Sequence, residues 1–323
     1  MLNPGWSHAE SPFHPGEMAI QERVGVRAKV EAQGRRLIRD YLTEQHQQFY
    51  AQLPFLIAGT VDSNGHPWAS ILVGTPGFLS TPNDRTLEVN SKFLLGDPIA
   101  NTLTEGIDIG LLGIELFTRR RNRMNGTVTA ITASGFTVQV GQSFGNCPQY
   151  IQARTVEPAA PIDPPQLVQE FTALAEPERI MITAADTFFI ATTFHGDAAN
   201  FVQGVDVSHR GGKPGFVRID PDGTLTIPDF AGNLHFNTIG NLLLDPHAGL
   251  LFLDFNRGDL LYLTGTTEVI WDREAIQAFA GAERLIRFQT IQGYRVERSL
   301  PLRWSAPDYS PFLDRTGTWT EAA

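Results

Sequence analysis

Cysteine is almost absent from this chain. Its 323 residues include one, Cys147, which excludes an intrachain disulfide and any Cys-x-x-Cys metal or redox motif. Histidine is sparse: the eight residues (His8, His14, His46, His66, His195, His209, His235 and His247) contain no pair at the helical spacing that metal ligands use. Basic residues are outnumbered 25 to 35 by acidic ones, giving a net charge of −10. General nucleic-acid binding is thereby disfavoured, while a local basic patch for a small anion stays open. No apolar run is long enough to cross a bilayer. The N-terminal MLNPGWSHAESPFHPGE has neither the basic start nor the apolar core of a secretory signal. The expectation is a cytoplasmic protein with no membrane and no nucleic acid among its partners.

What is present is an ordinary globular composition, 42% hydrophobic and 19% charged, in a chain long enough for one large or two medium domains. Met18–Leu53 reads as helical, with Val24, Val30, Leu37, Ile38, Tyr41 and Leu42 near helical spacing, and Pro54 ends the pattern. From Phe55 the character changes to short apolar runs between turn signals. FLIAGTV and WASILVG flank Asn64-Gly65, further runs lie at Thr86–Val89, Ile107–Leu116, Met124–Ala133 and Phe136–Val140, and Ser134-Gly135 marks another tight turn. The same texture fills 211–270, where Phe216–Ile219, Leu225–Ile227, Leu250–Phe255 and Leu260–Leu263 alternate with turns at Asp222-Gly223 and Arg257-Gly258-Asp259. Between the second and third of these runs lies an amide-rich segment (Asn233, Asn237, Thr238, Asn241). A strand that buries one face does not need so many amides, so this is a candidate ligand site.

The chain also repeats itself. Ile57-Ala58-Gly59-Thr60 is echoed by Ile190-Ala191-Thr192-Thr193, Pro76-Gly77-Phe78 by Pro214-Gly215-Phe216, Gly110-Leu111-Leu112 by Gly249-Leu250-Leu251, and Gly126-Thr127 by Gly265-Thr266. The offset grows slowly along the chain, from 133 at the first echo to 139 at the last. Four matches in one order predict two copies of one β-rich unit. The division expected is an N-terminal arm and helix (1–53), copy one (54–156), a proline-rich linker (157–166), copy two (167–300) and a tail (301–323) that packs as an extended strap. A short helix over Pro165–Glu176 leads into copy two, and each copy is a helix followed by about six antiparallel strands closing into a small barrel.

Two motifs carry possible chemistry. Gly141-Gln142-Ser143-Phe144-Gly145 matches the G-x-S-x-G of a hydrolase nucleophile elbow, but that motif needs a strand–turn–helix context that this hairpin-rich chain lacks. A polar loop after a strand is the simpler reading. Thr118-Arg119-Arg120-Arg121-Asn122-Arg123 is more informative: on a strand, Arg119, Arg121 and Arg123 share one face and concentrate positive charge in an acidic protein. Such a face suits a phosphate, or else a solvated edge or an ion-paired interface. The matching stretch of copy two, Gly258-Asp259-Leu260-Leu261-Tyr262, has no arginine.

The motifs SPFHPGE, HPWAS, PGF, RRRNRMNG and GNCPQYI, followed by GGKPGFVRI, IPDFAGN, FNTIGN and DPHAGLLF, resemble the pyridoxamine 5′-phosphate oxidase-related, FMN-binding split-barrel proteins, and more closely their double-barrel bacterial branch. The similarity runs from about Ser11 to Trp304. It implies a mainly β fold with flanking helices: two tandem six-stranded antiparallel split β-barrels forming a pseudo-dimer within one chain, with FMN between them. Carried over by position, the strand of Lys213, Pro214, Gly215, Phe216 and Val217 would run along the isoalloxazine, with Pro228 and Asp229 at a cofactor-contacting strand end and Asn233 in the amide segment. Asn237 and Thr238 fall where simpler members carry a basic phosphate-binding pair, so the missing charge would come from Arg119, Arg121 and Arg123. One flavin per chain is implied, since Pro76–Leu79 would face the arginine-free strand. Trp68, Ser70 and the 143–150 loop would line the opening. The activity implied is that of an FMN-dependent oxidoreductase acting on an unidentified small molecule, with NADH or NADPH as a candidate electron donor. No side chain stands out as an acid or base, so no catalytic residue is named. The alternative is a carrier without turnover that binds a flavin, a deazaflavin or a haem, the last with His209 or His235 as axial ligand. Whether two such chains pair as a homodimer is left open.

Overall fold

The computed structural model describes residues 5–157, 168–196 and 202–319. The helical region predicted over 18–53 divides into α1 (Pro15–Arg23), α2 (Arg27–Leu37) and α3 (Glu44–Ala51). Gly25, at φ +74°, breaks the first from the second. Thr43 caps the third by accepting the His46 N–H. Seven strands follow: β1 (Phe55–Val61), β2 (Pro67–Val73), β3 (Leu79–Asn83), β4 (Thr86–Val89), β5 (Asp108–Glu115), β6 (Arg120–Thr132) and β7 (Gly135–Gly145). They pair antiparallel in the order β2-β1-β5-β6-β7-β4-β3. The predicted turn between β1 and β2 is present, with Gly65 at φ +83° and Asp62 Oδ1 accepting the Asn64 and His66 N–H groups.

β8 (Val156–Glu157) and β9 (Val168–Phe171) stand on either side of 158–167, where all of the expected linker but Glu157 lies outside the described residues. The helix expected over Pro165–Glu176 is not where the sequence suggested. Val168–Phe171 is a strand, and α4 (Glu176–Ala184) begins where Pro177 enters the first turn and Glu178 accepts the Ala175 N–H. The second sheet comprises β10 (Thr187–Phe194), β11 (Gly204–Gly211), β12 (Arg218–Ile219), β13 (Leu225–Phe230), β14 (His247–Leu253), β15 (Leu260–Ile270) and β16 (Ala282–Val296), with α5 (Asn237–Leu244) before β14 and α6 (Arg273–Gln277) before β16. Its order, β11-β10-β14-β15-β16-β13-β12, repeats that of the first sheet strand for strand, and β9 adds to β16. Each path therefore has seven strands rather than six, the extra one being the short hairpin partner β3 or β12. β17 (Arg303–Trp304) pairs with β8, and the tail continues as a strap with bridges from Asp308 to Ala153 and from Trp319 to Phe279.

Side chains alternate between the two faces of each sheet. Ala58, Leu72, Leu79, Leu87, Leu111, Met124 and Val138, one from each of seven strands, meet in one core. The sheet thus wraps around a single interior although its end strands β2 and β3 are not hydrogen-bonded: a split barrel. The second sheet does the same around Ile190, Leu225, Leu250, Leu261 and Ile286. Alternate residues (Ile57, Trp68 and Leu112 from one barrel, Phe189, Val207, Leu251 and Tyr262 from the other) form a third core that joins the barrels into an intrachain pseudo-dimer. Equivalent glycines permit the approach. A Cβ on Gly110 would lie 2.5 Å from Val205 O, and one on Gly249 would lie 2.4 Å from Pro67 O.

The repeat is real, with one register corrected. Gly77 and Gly215 both sit at positive φ, +97° and +84°, and Gly126 and Gly265 both follow a β-bulge. The first echo slips by one residue. Ala58 pairs with Leu111 and Ile190 with Leu250, so the mate of Ile57 is Phe189, not Ile190. Aligning Ile57 with Ile190 would set an interface residue against a barrel-core one, because a one-residue slip exchanges the faces.

Candidate functional site

On β6, alternation places Arg121 and Arg123 on one face, and that face meets β11 of the other barrel. Arg121 Nη1 donates to His209 O at 3.3 Å and its Nε to Cys147 O at 2.8 Å. Arg123 donates to the Ser208 hydroxyl, and its Nη1 lies 2.9 Å from Asp206 Oδ1. The alignment of that ion pair is poor for a hydrogen bond, so Arg123 Nη1 and Nε both keep unused donors in a buried setting. Arg119 departs from the sequence reading. It precedes β6 at φ +55°, where strand alternation no longer applies, and its guanidinium reaches Ile151 O and the backbone and carboxylate of Asp308 on the C-terminal strap.

Facing the arginines is the amide-rich segment. Leu234 and Phe236 both hold φ +65°, left-handed backbone that non-glycine residues adopt at a cost and that gathers at functional loops. Phe236 is the N-cap of α5 and offers no side-chain acceptor, so first-turn N–H groups are left for another partner. Thr238 Oγ1 donates to Ser208 Oγ at 3.2 Å. Asn237 donates to the Glu17 carboxyl, and Asn233 donates to Asn146 Oδ1 at 3.0 Å while accepting the His235 N–H. Between these elements lies a cavity of about 100 Å³, about 580 Å³ with its open mouth counted. A second of about 70 Å³ shares Arg121, His209, Arg210 and Phe230 with it and runs on to Gln149, Tyr150 and Pro228.

The charge at this corner is unbalanced. Arg123 is matched by Asp206, Arg210 and Arg284 share Asp229, the latter at 2.7 Å, and Arg284 also meets Glu283 at 2.6 Å. Arg121 forms no ion pair among the described residues. Burial, aided by Arg123, pulls its guanidinium down to about 9. Glu17 does not compensate, since burial pushes its carboxyl up to about 8. His209 is driven well below the usual histidine range by burial and by Arg121, so its ring is neutral, and neither ring nitrogen has a partner. A half-buried cation without a counter-ion, beside free helix N–H groups and a neutral imidazole, is an environment for an anion.

Of the residues singled out from sequence, Arg121, Arg123, Asp229, Asn233, Asn237 and Thr238 line the larger cavity, and Phe216 and Pro228 the smaller. Lys213, Pro214, Gly215 and Val217 line neither. The supposed strand Lys213–Val217 is a turn: the Phe216 N–H bonds to Lys213 O and the Gly215 N–H to Thr183 O, Phe216 O accepts from Trp319 Nε1 on the strap, and Val217 is buried in the core. Trp68 and Ser70 also lie away from this corner, Trp68 in the inter-barrel core and Ser70 bonded to Asp97. Ser143 sits within β7, fully buried, its hydroxyl donating to Tyr41 O at 2.6 Å, so no nucleophile elbow exists. From the 143–150 loop, Asn146, Gln149 and Tyr150 do reach the cavities. Sequence reasoning named His209 only as a haem ligand and missed Ser208, Arg210 and Arg284. Ser208 and Arg210 share with His209 the SHRG stretch ending β11, a polar run closing an apolar strand, which was a legible signal; Arg284 had none. No group of three or more metal-ligating side chains occurs among the described residues.

No family model matches this chain, and no curated protein does. Among solved structures, HupZ from Group A Streptococcus is similar at 14% identity over 36% of this chain and 89% of its own, with a TM-score of 0.28. The conserved hypothetical protein Rv2991 from Mycobacterium tuberculosis is similar at 15% identity over 39% of this chain and 87% of its own, with a TM-score of 0.29. A FAD-binding protein from Mesorhizobium loti is similar at 15% identity over 41% of this chain and 99% of its own, with a TM-score of 0.27. Likenesses at this level fix neither activity nor ligand.

Proposed function

We propose that this chain binds FMN at the junction of its barrels and serves as a flavin-dependent oxidoreductase. The observation that carries the reading is the half-buried, acid-free Arg121. Arg121, Arg123, Ser208, Thr238 and the first-turn N–H groups of α5 would hold the phosphate, combining charge-assisted bonds with a helix N-terminus. The enclosed volume suits a phosphate-sized group. Small-molecule sites enclose roughly 300 Å³ or more, so the isoalloxazine would use the open mouth, toward Tyr150 and Phe230. When bound, the flavin supplies hydride or electron transfer. The chain's own part is to neutralise the phosphate, to exclude water from it through Phe230 and Phe236, and to offer the neutral His209 ring as a hydrogen-bonding group beside the groove.

The test is the visible absorption spectrum of the purified protein, followed by heat release and mass identification of any chromophore, and by titration of the colourless protein with FMN. One FMN per chain is expected, bleached anaerobically by NADH or NADPH if either is the donor. A colourless protein that takes up no FMN would remove the proposal, and a haem Soret band would replace it with the carrier reading.

A further inference from the structure

The corner related to the arginine site by the internal repeat is not a copy of it. Ser70 occupies the place of Ser208, each paired to an equivalent residue of the adjoining strand. Leu260 and Tyr262 stand where Arg121 and Arg123 stand, opposite Leu253 and Leu251 as the arginines are opposite Ile114 and Leu112. Asp97 is the N-cap of a short 3-10 helix, Pro98–Asn101, the position that belongs to Phe236 before α5 in the second barrel. The cavity here encloses about 790 Å³, within the range of small-molecule sites.

Its wall reverses the charge of the other corner. Asp62 and Asp97 line it, and among the described residues no lysine, arginine or histidine does. Asp97 is 3% exposed, with Oδ2 accepting from Ser70 at 2.5 Å and Oδ1 accepting the Ile99 N–H at 3.0 Å. Among the described residues it forms no ion pair, and burial pushes its carboxyl up to about 7. Trp68 from one barrel and Tyr294 from the other stand with ring centroids 5.4 Å apart, tilted 38°. The Trp68 Nε1–H donates to Asp62 Oδ2 at 3.0 Å, which fixes the indole and aims that carboxylate at the same wall. Asn101 and Gln292 add amides at the same cavity.

We propose that this cavity is a second ligand site, taking a small organic cation: an ammonium or amidinium carried on a flat ring. Aromatic faces attract a cation through their quadrupoles. A buried carboxylate without a counter-charge gains a charge-assisted hydrogen bond from it. An anion would meet two carboxylates and no compensating charge. The site does not depend on the flavin reading, since it shares no lining residue with the arginine corner.

Isothermal titration of the full chain at pH 8.5, where Asp97 is ionised, tests this with benzamidine and its neutral and anionic counterparts, benzyl alcohol and benzoate. Benzamidine is expected to bind about tenfold tighter than benzyl alcohol, with no saturable binding of benzoate. Asp97→Asn should reduce the preference for benzamidine to near parity. Ala100→Trp, at an exposed rim position of the same cavity, should abolish binding of both ligands by filling the space. If Asp97→Asn fails to fold, Ala100→Trp decides alone, because position 100 is exposed. Equal affinity for the three probes, binding by Ala100→Trp at the parental level, or no binding at all would each overturn the proposal.

Discussion

The two corners between the barrels are built on one backbone plan and spend it in opposite ways. In the second barrel, a strained loop delivers Phe236 to the N-cap of α5, where it satisfies nothing, and β6 of the first barrel brings two arginines to the uncapped helix end. In the first barrel the N-cap is Asp97, whose own carboxylate fills the place an incoming anion would take, and the opposing strand supplies Leu260 and Tyr262 to the inter-barrel core. A helix end closed by its own acid is locally stable and inert toward anions; one left open awaits a partner. After duplication, the capping residue and two strand positions suffice to assign anion binding to one side.

The sharpest way to break the comparison is Arg121→Leu. If the open corner holds the cofactor phosphate, the loss of a charge-assisted contact, worth about 1.5–3 kcal/mol, should weaken FMN by about ten- to a hundredfold. Quenching of flavin fluorescence on titration measures it. Arg121→Lys should recover part of the loss as a point charge without the fork. Unchanged affinity in Arg121→Leu would detach the cofactor from this corner.

Why the arginines were legible and their partners were not follows from the same geometry. Three arginines at alternate positions in an acidic chain announce a charged face without any knowledge of the fold, and the repeat announces that a second strand lacks it. The turn at Lys213–Val217 was misread because Pro-Gly-Phe followed by Val looks like a strand start, whereas Gly215 at φ +84° bends the chain. Arg119 was included because strand alternation carries no information on where a strand begins. Arg284, the tertiary partner of Asp229, lies 55 residues away in sequence, and only the pairing of β13 with β16 brings it near. The one-residue slip at Ile57 shows that identity of residues is a poorer guide to register than which face is buried.

Each corner also has beside it a buried acid without an ion pair to an arginine or lysine among the described residues, Glu17 at one and Asp97 at the other, and the two should be separable by pH. The folded-state carboxyls of Glu17 and Asp97 are raised to about 8 and about 7, above their unfolded values near 4, so their contribution is full at low pH and is lost as pH rises through those values. His14, His46 and His235 work the other way: their folded values are lowered to about 4 by burial, so they favour stability as pH rises toward about 6.5 and add nothing beyond. Above pH 6.5 the acids act alone. Stability should fall by up to about 1.4 kcal/mol per pH unit for each acid releasing its proton, seen as a declining Tm by calorimetry between pH 6.5 and 8. Glu17→Gln should flatten the decline from 7 to 8, whereas Asp97→Asn should only about halve the slope below 7, where Glu17 still contributes. A Tm that rises across this window would mean that one or both acids are ionised in the folded protein.

The smallest expected effect separates structure from site. A Cβ on Gly77 or on Gly215 would meet nothing within 4 Å, so alanine at either costs only the left-handed backbone, about 1 kcal/mol. The two substitutions should lower Tm equally, because the turns are equivalent: the Gly77 N–H bonds to Ala51 O and the Gly215 N–H to Thr183 O. FMN affinity should be untouched by both, since neither glycine lines the arginine corner. Weaker FMN binding in Gly215→Ala, with Gly77→Ala normal, would return the 213–217 turn to the cofactor. It would also mean that the ring lies along that turn and not at the mouth beside Tyr150 and Phe230.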